Sequence, residues 1–96
     1  MQFLILARDG TDAEAPARRL AVRTDHLAGM ATLKASGHFV FGGATLDEYG
    51  AMTGSAIVFE FPDRATLDDW LRRDPYVTGN VWQHIDIQPF RLAKVD

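Results

Sequence analysis

Phe3–Ala7, with the sequence FLILA, is an apolar run near the start of the chain, and the other elements are expected to assemble around it. Five consecutive apolar residues suit a strand that is covered on both faces, and such a strand usually lies in the centre of a sheet. Arg8, Asp9 and Gly10 follow it with the residue types of a turn. We therefore expect the other strands to lie on both sides of residues 3–7.

The chain after this strand alternates helical and strand patterns. A first helix is expected to start between Thr11 and Pro16, because Thr11 and Glu14 have capping-box spacing and a proline suits the first helical turn. It would end near Ser36, with Gly37 as a left-handed cap. The further elements are predicted as strands Phe39–Phe41, Thr53–Phe61 and Trp82–Leu92, a helix Arg64–Arg73 with Asp63 as its N-cap, and a short helical turn Pro75–Gly79.

The first helix carries two neighbouring stripes at helical spacing. One is apolar and consists of Leu20, Leu27 and Ala31. The second lies on its flank and consists of Arg19, Arg23, His26, Met30 and Leu33. This arrangement predicts that His26 lies at the edge of the buried face.

The order strand, helix, strand, strand, helix, strand is that of the ferredoxin-like α+β fold. In this βαββαβ plan a four-stranded antiparallel sheet carries both helices on one face. The other face, with residues 3–7 apolar at every position, would expose a large patch. We therefore expect one domain over residues 1–96 that forms a homodimer through the open sheet face. A monomeric mass at micromolar concentration would count against the dimer.

Composition limits the class of protein. The 96 residues carry a net charge of −3 and show no basic stripe, which argues against nucleic acid as a partner. There is no cysteine, so disulfides, thiolate metal sites and cysteine nucleophiles are excluded. No apolar run approaches the length of a membrane span, and Met1–Phe3 lacks the zones of a signal peptide. A cytoplasmic protein without membrane attachment is expected.

Asp74 interrupts an apolar stripe. It lies three, four and seven residues after Leu71, Trp70 and Leu67, so an acid stands in line with core positions. A carboxylate there needs a partner, and the fold brings the helix of His26 beside it. A carboxylate that holds one imidazole nitrogen raises the basicity of the other, which favours acid–base chemistry. The alternative is that Asp74 only caps the turn that begins at Pro75 and that His26 is a hydrogen-bonded residue at the core edge.

The sequence resembles the YCII-related family over nearly its whole length. The likeness lies in the segment Arg23–Leu27, in Gly42-Gly43, in Thr53–Ser55, and in Asp74–Tyr76 followed by Gly79, Val81 and Gln88–Phe90. The resemblance implies a dimeric α+β barrel of ferredoxin-like subunits, similar in architecture to muconolactone isomerases. It also implies a histidine–aspartate pair in a pocket, which here is His26 and Asp74. Some relatives dehydrochlorinate chlorinated hydroxyquinols with such a pair.

Five further residues are interpreted as substrate-binding: Arg23, Gly43, Ser55, Tyr76 and Trp82. Each has a structural alternative. The arginine can cover apolar surface with its stem, and the glycine, which follows Gly42, can belong to a bulge. The serine hydroxyl can hold a substrate oxygen or make a structural hydrogen bond, and the two aromatic residues can line a pocket or pack in the core or dimer.

No metal site or cofactor is expected. His26, His38 and His84 are dispersed over three elements without cysteine, which is a weak metal pattern. The leading hypothesis is a small enzyme that uses His26 as base and Asp74 as its orienting partner. It would carry out elimination or isomerisation of a small aromatic or enol-like compound. The alternatives are a non-catalytic ligand-binding or interaction module, and an assembly domain in which the pair is a structural clip.

Overall fold

The computed structural model describes residues 1–95 of the chain. The elements follow one another as β1 (Gln2–Asp9), α1 (Ala15–Ala35), β2 (Phe39–Leu46), β3 (Met52–Glu60), α2 (Arg64–Leu71), α3 (Pro75–Thr78) and β4 (Trp82–Phe90). The predicted order of elements is confirmed. Among the described residues, no helix has both the length and the apolar character needed to cross a bilayer.

The four strands form one antiparallel sheet in the order β2-β3-β1-β4. Ile5 of β1 is paired with Ile57 of β3 on one side and with Ile87 of β4 on the other. The strand that starts at residue 2 therefore occupies the centre of the sheet, as the apolar run predicts. The topology is ferredoxin-like.

Both long helices pack on the same face of the sheet. Phe3 and Ile5 of β1 share one core cluster with Leu33 of α1 and with Leu67 and Leu71 of α2. Leu67 is completely buried, and full burial of one such side chain contributes about 1.5–3 kcal/mol. This helix-covered face is the one that carries the site.

The other face of β1 is not covered within one chain. Leu6 is 40% exposed, whereas Ile5 and Ala7 beside it are buried. The expectation of a strand buried on both faces is therefore wrong for the single chain, because the helices cover only one side. Val58 is buried on the open face nevertheless, since Leu4 and Phe41 are its partners on the two neighbouring strands.

The buried stripe of α1 is the one that contains charged and polar residues. Arg19 and His26 are each 4% exposed and lie on the buried side with Ala15, Met30 and Leu33. Leu20 and Leu27 are 70% and 45% exposed. Leu20 thus faces away from the sheet and Leu27 is only partly covered, whereas the stripe predicted as their flank packs on the sheet. Successive residues on a helix point about 100° apart, so the two stripes are neighbours with the same period. The period alone therefore does not show which of the two stripes is buried.

Two local predictions are wrong, at the start of α1 and at the end of β2, and the other element ends differ from the predictions by at most two residues. α1 begins at Ala15 after Glu14, whose backbone is already helical, and no side chain caps it, so the proposed capping box of Thr11 and Glu14 does not form. β2 does not stop at the paired glycines but continues to Leu46. Its register shifts lie between Phe39 and Phe41 and between Thr45 and Leu46, not at the glycines.

Gly42 of β2 is needed for close packing rather than for a turn. A Cβ atom there would lie 2.9 Å from both the Ala56 carbonyl oxygen and Cγ1 of Ile57. A Cβ atom at Gly43 would meet nothing within 4 Å. The strand therefore presents a nearly bare backbone to the helix-covered face, and this leaves space between β2 and α1.

Candidate active site

His26 and Asp74 join α1 to the start of α3. The Nδ1 atom of His26 lies 3.0 Å from Oδ2 and 3.2 Å from Oδ1 of Asp74. The two side chains are only 6% and 0% exposed. Oδ2 also accepts a hydrogen bond of 3.0 Å from the backbone N–H of Tyr76. Asp74 therefore caps α3 and holds the imidazole at the same time.

The partner of His26 determines which ring nitrogen is free. An ionised carboxylate accepts hydrogen bonds and donates none, so the proton between the two residues belongs to Nδ1. In the neutral imidazole, Nε2 then carries the lone pair. His26 is one of the residues that line a cavity.

Two aromatic rings fix the orientation of the imidazole. Tyr76 stacks on His26 with the ring centroids 3.7 Å apart and the planes at 12°. Trp82 meets His26 edge-on at 5.6 Å and meets Tyr76 edge-on at 5.4 Å. Burial raises the pKa of Tyr76 above its ordinary value, although the charges of Arg19 and Arg23 oppose the change. The tyrosine therefore remains a neutral phenol.

A second set of buried side chains is joined by hydrogen bonds near His26. We call it the arginine network, and it consists of Asp9, Arg19, Ser55 and Trp82. Nη1 of Arg19 lies 3.0 Å from both carboxylate oxygens of Asp9. Its Nη2 donates to Oγ of Ser55 at 3.0 Å, and Nε1 of Trp82 donates to the same oxygen at 3.1 Å. The guanidinium carbon also lies 4.7 Å from the ring centroid of Tyr76, which connects the network to the His26 stack.

Sequence reasoning missed the roles of Asp9 and Arg19. Asp9 has the residue type of a turn after the first strand, and Arg19 has that of a surface charge. One signal was present: Arg19 lies seven residues before His26 on the same stripe, so a buried His26 places Arg19 on the buried side as well. A buried arginine requires an anionic or polar partner.

The cavity between α1 and the β2–β3 edge has a volume of about 140 Å³. Its walls are made by Arg19, Arg23, His26, Leu27, Met30, Phe39, Gly42, Gly43, Ala44, Met52, Ser55, Ile57 and Tyr76. Two arginines and no carboxylate line it among the described residues. Arg19 is paired with Asp9, whereas Arg23 is exposed to solvent.

The structure brings most of the predicted site residues together. Arg23, Gly43, Ser55 and Tyr76 line the same cavity as His26, and Asp74 lies behind the imidazole. Trp82 is the exception. It does not line the cavity, because its indole N–H is directed at Ser55 and its ring edge is packed on His26. Trp82 belongs to the core cluster, which is the alternative that the sequence left open for it.

The other two histidines lie outside the cavity. His38 contacts the Glu60 carbonyl oxygen at 2.7 Å through Nδ1, and His84 lies 3.3 Å from Asp86 on the surface of β4. Within residues 1–95, no three histidine or acidic side chains are grouped as metal ligands would be.

Comparison with known proteins relates nearly the whole chain to one family. The family model of the YCII-related domain matches residues 1–91. The protein YciI of Escherichia coli O6:H1 is 32% identical over 97 residues, which covers 95% of this chain and 97% of that protein. An uncharacterized protein of Haemophilus influenzae is also 32% identical, with the same coverage.

Solved structures show the same fold. The 5-chloro-2-hydroxyhydroquinone dehydrochlorinase of Burkholderia phenoliruptrix AC1100, in complex with 2,5-dihydroxybenzoquinone, has a TM-score of 0.83 and 23% identity over 97% of this chain and 96% of that one. A dimeric ferredoxin-like protein of unknown function from Jannaschia sp. CCS1 has a TM-score of 0.54 and 12% identity over 95% and 98%. At these identities the likeness concerns the fold.

Proposed function

This chain belongs to the YCII-related family, and we propose that its cavity is the active site of a small enzyme that uses His26 as a general base. The observation that carries the proposal is the environment of His26. Nδ1 is held by Asp74, and the residue lines a cavity whose walls, within residues 1–95, include arginines and no carboxylate. A base that is buried, fixed in one tautomer and open to a cavity is suited to proton abstraction. Asp74 is its orienting partner and stabilises the imidazolium that forms.

The reaction class is elimination or isomerisation. Nε2 of His26 takes a proton from a phenolic hydroxyl or an activated carbon. In an elimination such as dehydrochlorination, a chloride leaves with its bonding electron pair, so the substrate loses HCl overall. In an isomerisation the imidazolium returns the proton to a different position. General base catalysis of this kind contributes about 10²- to 10⁴-fold to the rate.

The size and lining of the cavity support a single-ring substrate. Its volume of about 140 Å³ is close to that of a cavity of about 150 Å³ known to hold benzene. Apolar walls from Leu27, Met30 and Ile57 suit the faces of a ring, while Arg23 at the rim suits an anionic substituent. The substrate that fits best is a small planar phenolate or enolate.

A homodimer is part of the proposal. Leu6 and Phe41 expose 40% and 47% of their surface on the open face of the sheet, and the neighbouring fold from Jannaschia is a dimer. Sheet-to-sheet association of two copies would bury these side chains and complete the α+β barrel.

The test is turnover of 5-chloro-2-hydroxyhydroquinone, followed by chloride release. The wild type should release chloride, and His26→Ala should reduce the rate at least 100-fold while the folded state persists in circular dichroism. Binding of 2,5-dihydroxybenzoquinone by both proteins without chloride release would overturn the catalytic proposal for this substrate and support the ligand-binding module. Equal turnover by His26→Ala would exclude His26 as the base.

A further inference from the structure

The oxygen of Ser55 is saturated as a hydrogen-bond acceptor. It accepts from Nη2 of Arg19 at 3.0 Å and from Nε1 of Trp82 at 3.1 Å. Both partners are groups that only donate. A hydroxyl oxygen has two acceptor sites, so these two contacts occupy both.

The proton of the Ser55 hydroxyl must therefore be donated to a third group. Neither Arg19 nor Trp82 has a lone pair that can receive it. The residue is only 2% exposed, yet it lines the same cavity as His26. This cavity is a place where an acceptor can reach the proton, and Ser55 also lines a second cavity, together with Asp9 and Thr45.

The arginine network holds this orientation firmly. Arg19 is fixed by two contacts of 3.0 Å to Asp9, and the side chains of the two residues are 5% and 6% exposed. Hydrogen bonds from a charged donor polarise the acceptor, and in a chain of hydrogen bonds each one strengthens the next. The Ser55 hydroxyl is thus a stronger donor than an isolated serine.

We propose that Ser55 is the oxygen-recognition residue of the cavity. Arg19 and Trp82 hold it as an obligate donor, so it selects ligands that place an accepting oxygen of phenol, phenolate or carbonyl type deep in the cavity. Arg19, Asp9 and Trp82 act through Ser55 and are positioning residues. The proposal rests on the same cavity as the proposed function and specifies its substrate class, but it concerns binding and needs no turnover.

The experiment compares two ligands of nearly equal shape, phenol and toluene, which differ by a hydroxyl in place of a methyl group. Affinities are measured by chemical-shift titration of the wild type and of Ser55→Ala. The wild type should prefer phenol, and Ser55→Ala should lower the phenol-to-toluene affinity ratio about 5- to 10-fold, as expected for one lost hydrogen bond. Ser55→Thr, which keeps a hydroxyl, should restore most of the ratio.

Trp82→Phe removes one donor to Ser55 and leaves the serine hydroxyl in place. One acceptor site on the oxygen is then free, so this variant should lower the phenol-to-toluene affinity ratio, but less than Ser55→Ala does. If Ser55→Ala fails to fold, Ser55→Cys provides the comparison, since a thiol occupies the same position and is a weak donor.

Three results would overturn the proposal: no phenol preference in the wild type, no binding of either ligand, or an equal loss of both affinities in Ser55→Ala. Neither ligand is a substrate for chloride release. A failed turnover test therefore leaves this binding result intact, and the two proposals fail separately.

Discussion

The ring of Tyr76 lies parallel to that of His26, with 3.7 Å between the centroids and 12° between the planes. The backbone N–H of the same tyrosine donates to Asp74, which in turn holds His26. The start of α3 thus supplies two groups to the site. One is the Asp74 carboxylate, which caps the helix and holds His26, and the other is the Tyr76 ring, which covers the imidazole. The catalytic proposal and the stability of α3 depend on the same three residues.

Replacement of Asp74 should separate these two roles. Asp74→Asn can keep an oxygen at the position of Oδ2, which accepts from both Tyr76 and His26, but it removes the charge that stabilises an imidazolium. Turnover should fall by about two to four orders of magnitude with a small change in melting temperature. Asp74→Ala also removes the cap and the buried acceptor, and should cost about 1–3 kcal/mol in urea unfolding. If Asp74→Asn lowers mainly the melting temperature, the pair is a structural clip.

The buried phenol of Tyr76 should make stability decline in alkaline solution. Its pKa is raised in the folded state by burial, so the unfolded chain releases this proton at a lower pH than the folded chain. The stabilisation that neutral Tyr76 gives to the folded state is fully present below about pH 10, which is the ordinary tyrosine pKa. It is lost as the pH rises through the folded-state pKa. Tyr76→Phe keeps the stacked ring and should flatten the decline above about pH 10.

Tyr49→Phe is the control for this measurement, because Tyr49 is 86% exposed. Urea unfolding at several pH values gives the comparison. The alkaline decline should persist unchanged in Tyr49→Phe. An equal decline in Tyr76→Phe and the wild type would assign the effect to other groups.

The two adjacent glycines of β2 should respond differently to alanine. A Cβ atom at Gly42 would lie 2.9 Å from the Ala56 carbonyl oxygen, whereas one at Gly43 has no neighbour within 4 Å. Gly42→Ala should lose about 1–3 kcal/mol through overpacking and should also weaken ligand binding in the cavity. Gly43→Ala should stay within about 0.5 kcal/mol of the wild type. Equal stability of the two variants would show that β2 shifts freely at the cavity.

The open face of the sheet should determine the oligomeric state. Light scattering should give about twice the chain mass of 10.7 kDa for the wild type. Leu6→Lys places a charge in the centre of this face and should yield a monomer, because burial of an unpaired charge is costly. Leu20→Lys changes a residue that is 70% exposed on α1 and should leave the mass unchanged. Dissociation by Leu20→Lys alone would move the interface to the helix side.

Local sequence patterns explain why part of the site was predictable. Asp63 and Asp74 were expected as N-caps, and each accepts a hydrogen bond from a backbone N–H at the start of its helix. Gly37 was expected as a left-handed cap, and its φ is +83°. These features depend on residues within a few positions of each other, so the chain encodes them locally. The contact of His26 with Asp74 was inferred from an acid at a core position and from the fold.

Sequence patterns alone predict the order of elements, the central place of Phe3–Ala7 and the need of Asp74 for a partner. They do not predict which stripe of α1 is buried, because that depends on contacts between distant parts of the chain. Arg19 can leave water only because Asp9 and Ser55, from two different strands, supply its hydrogen-bond partners. Those partners lie 10 and 36 residues away along the chain, beyond the reach of any helical or strand period. The burial of a charge depends on groups that only the folded sheet brings together, whereas caps and strands depend on neighbours in sequence.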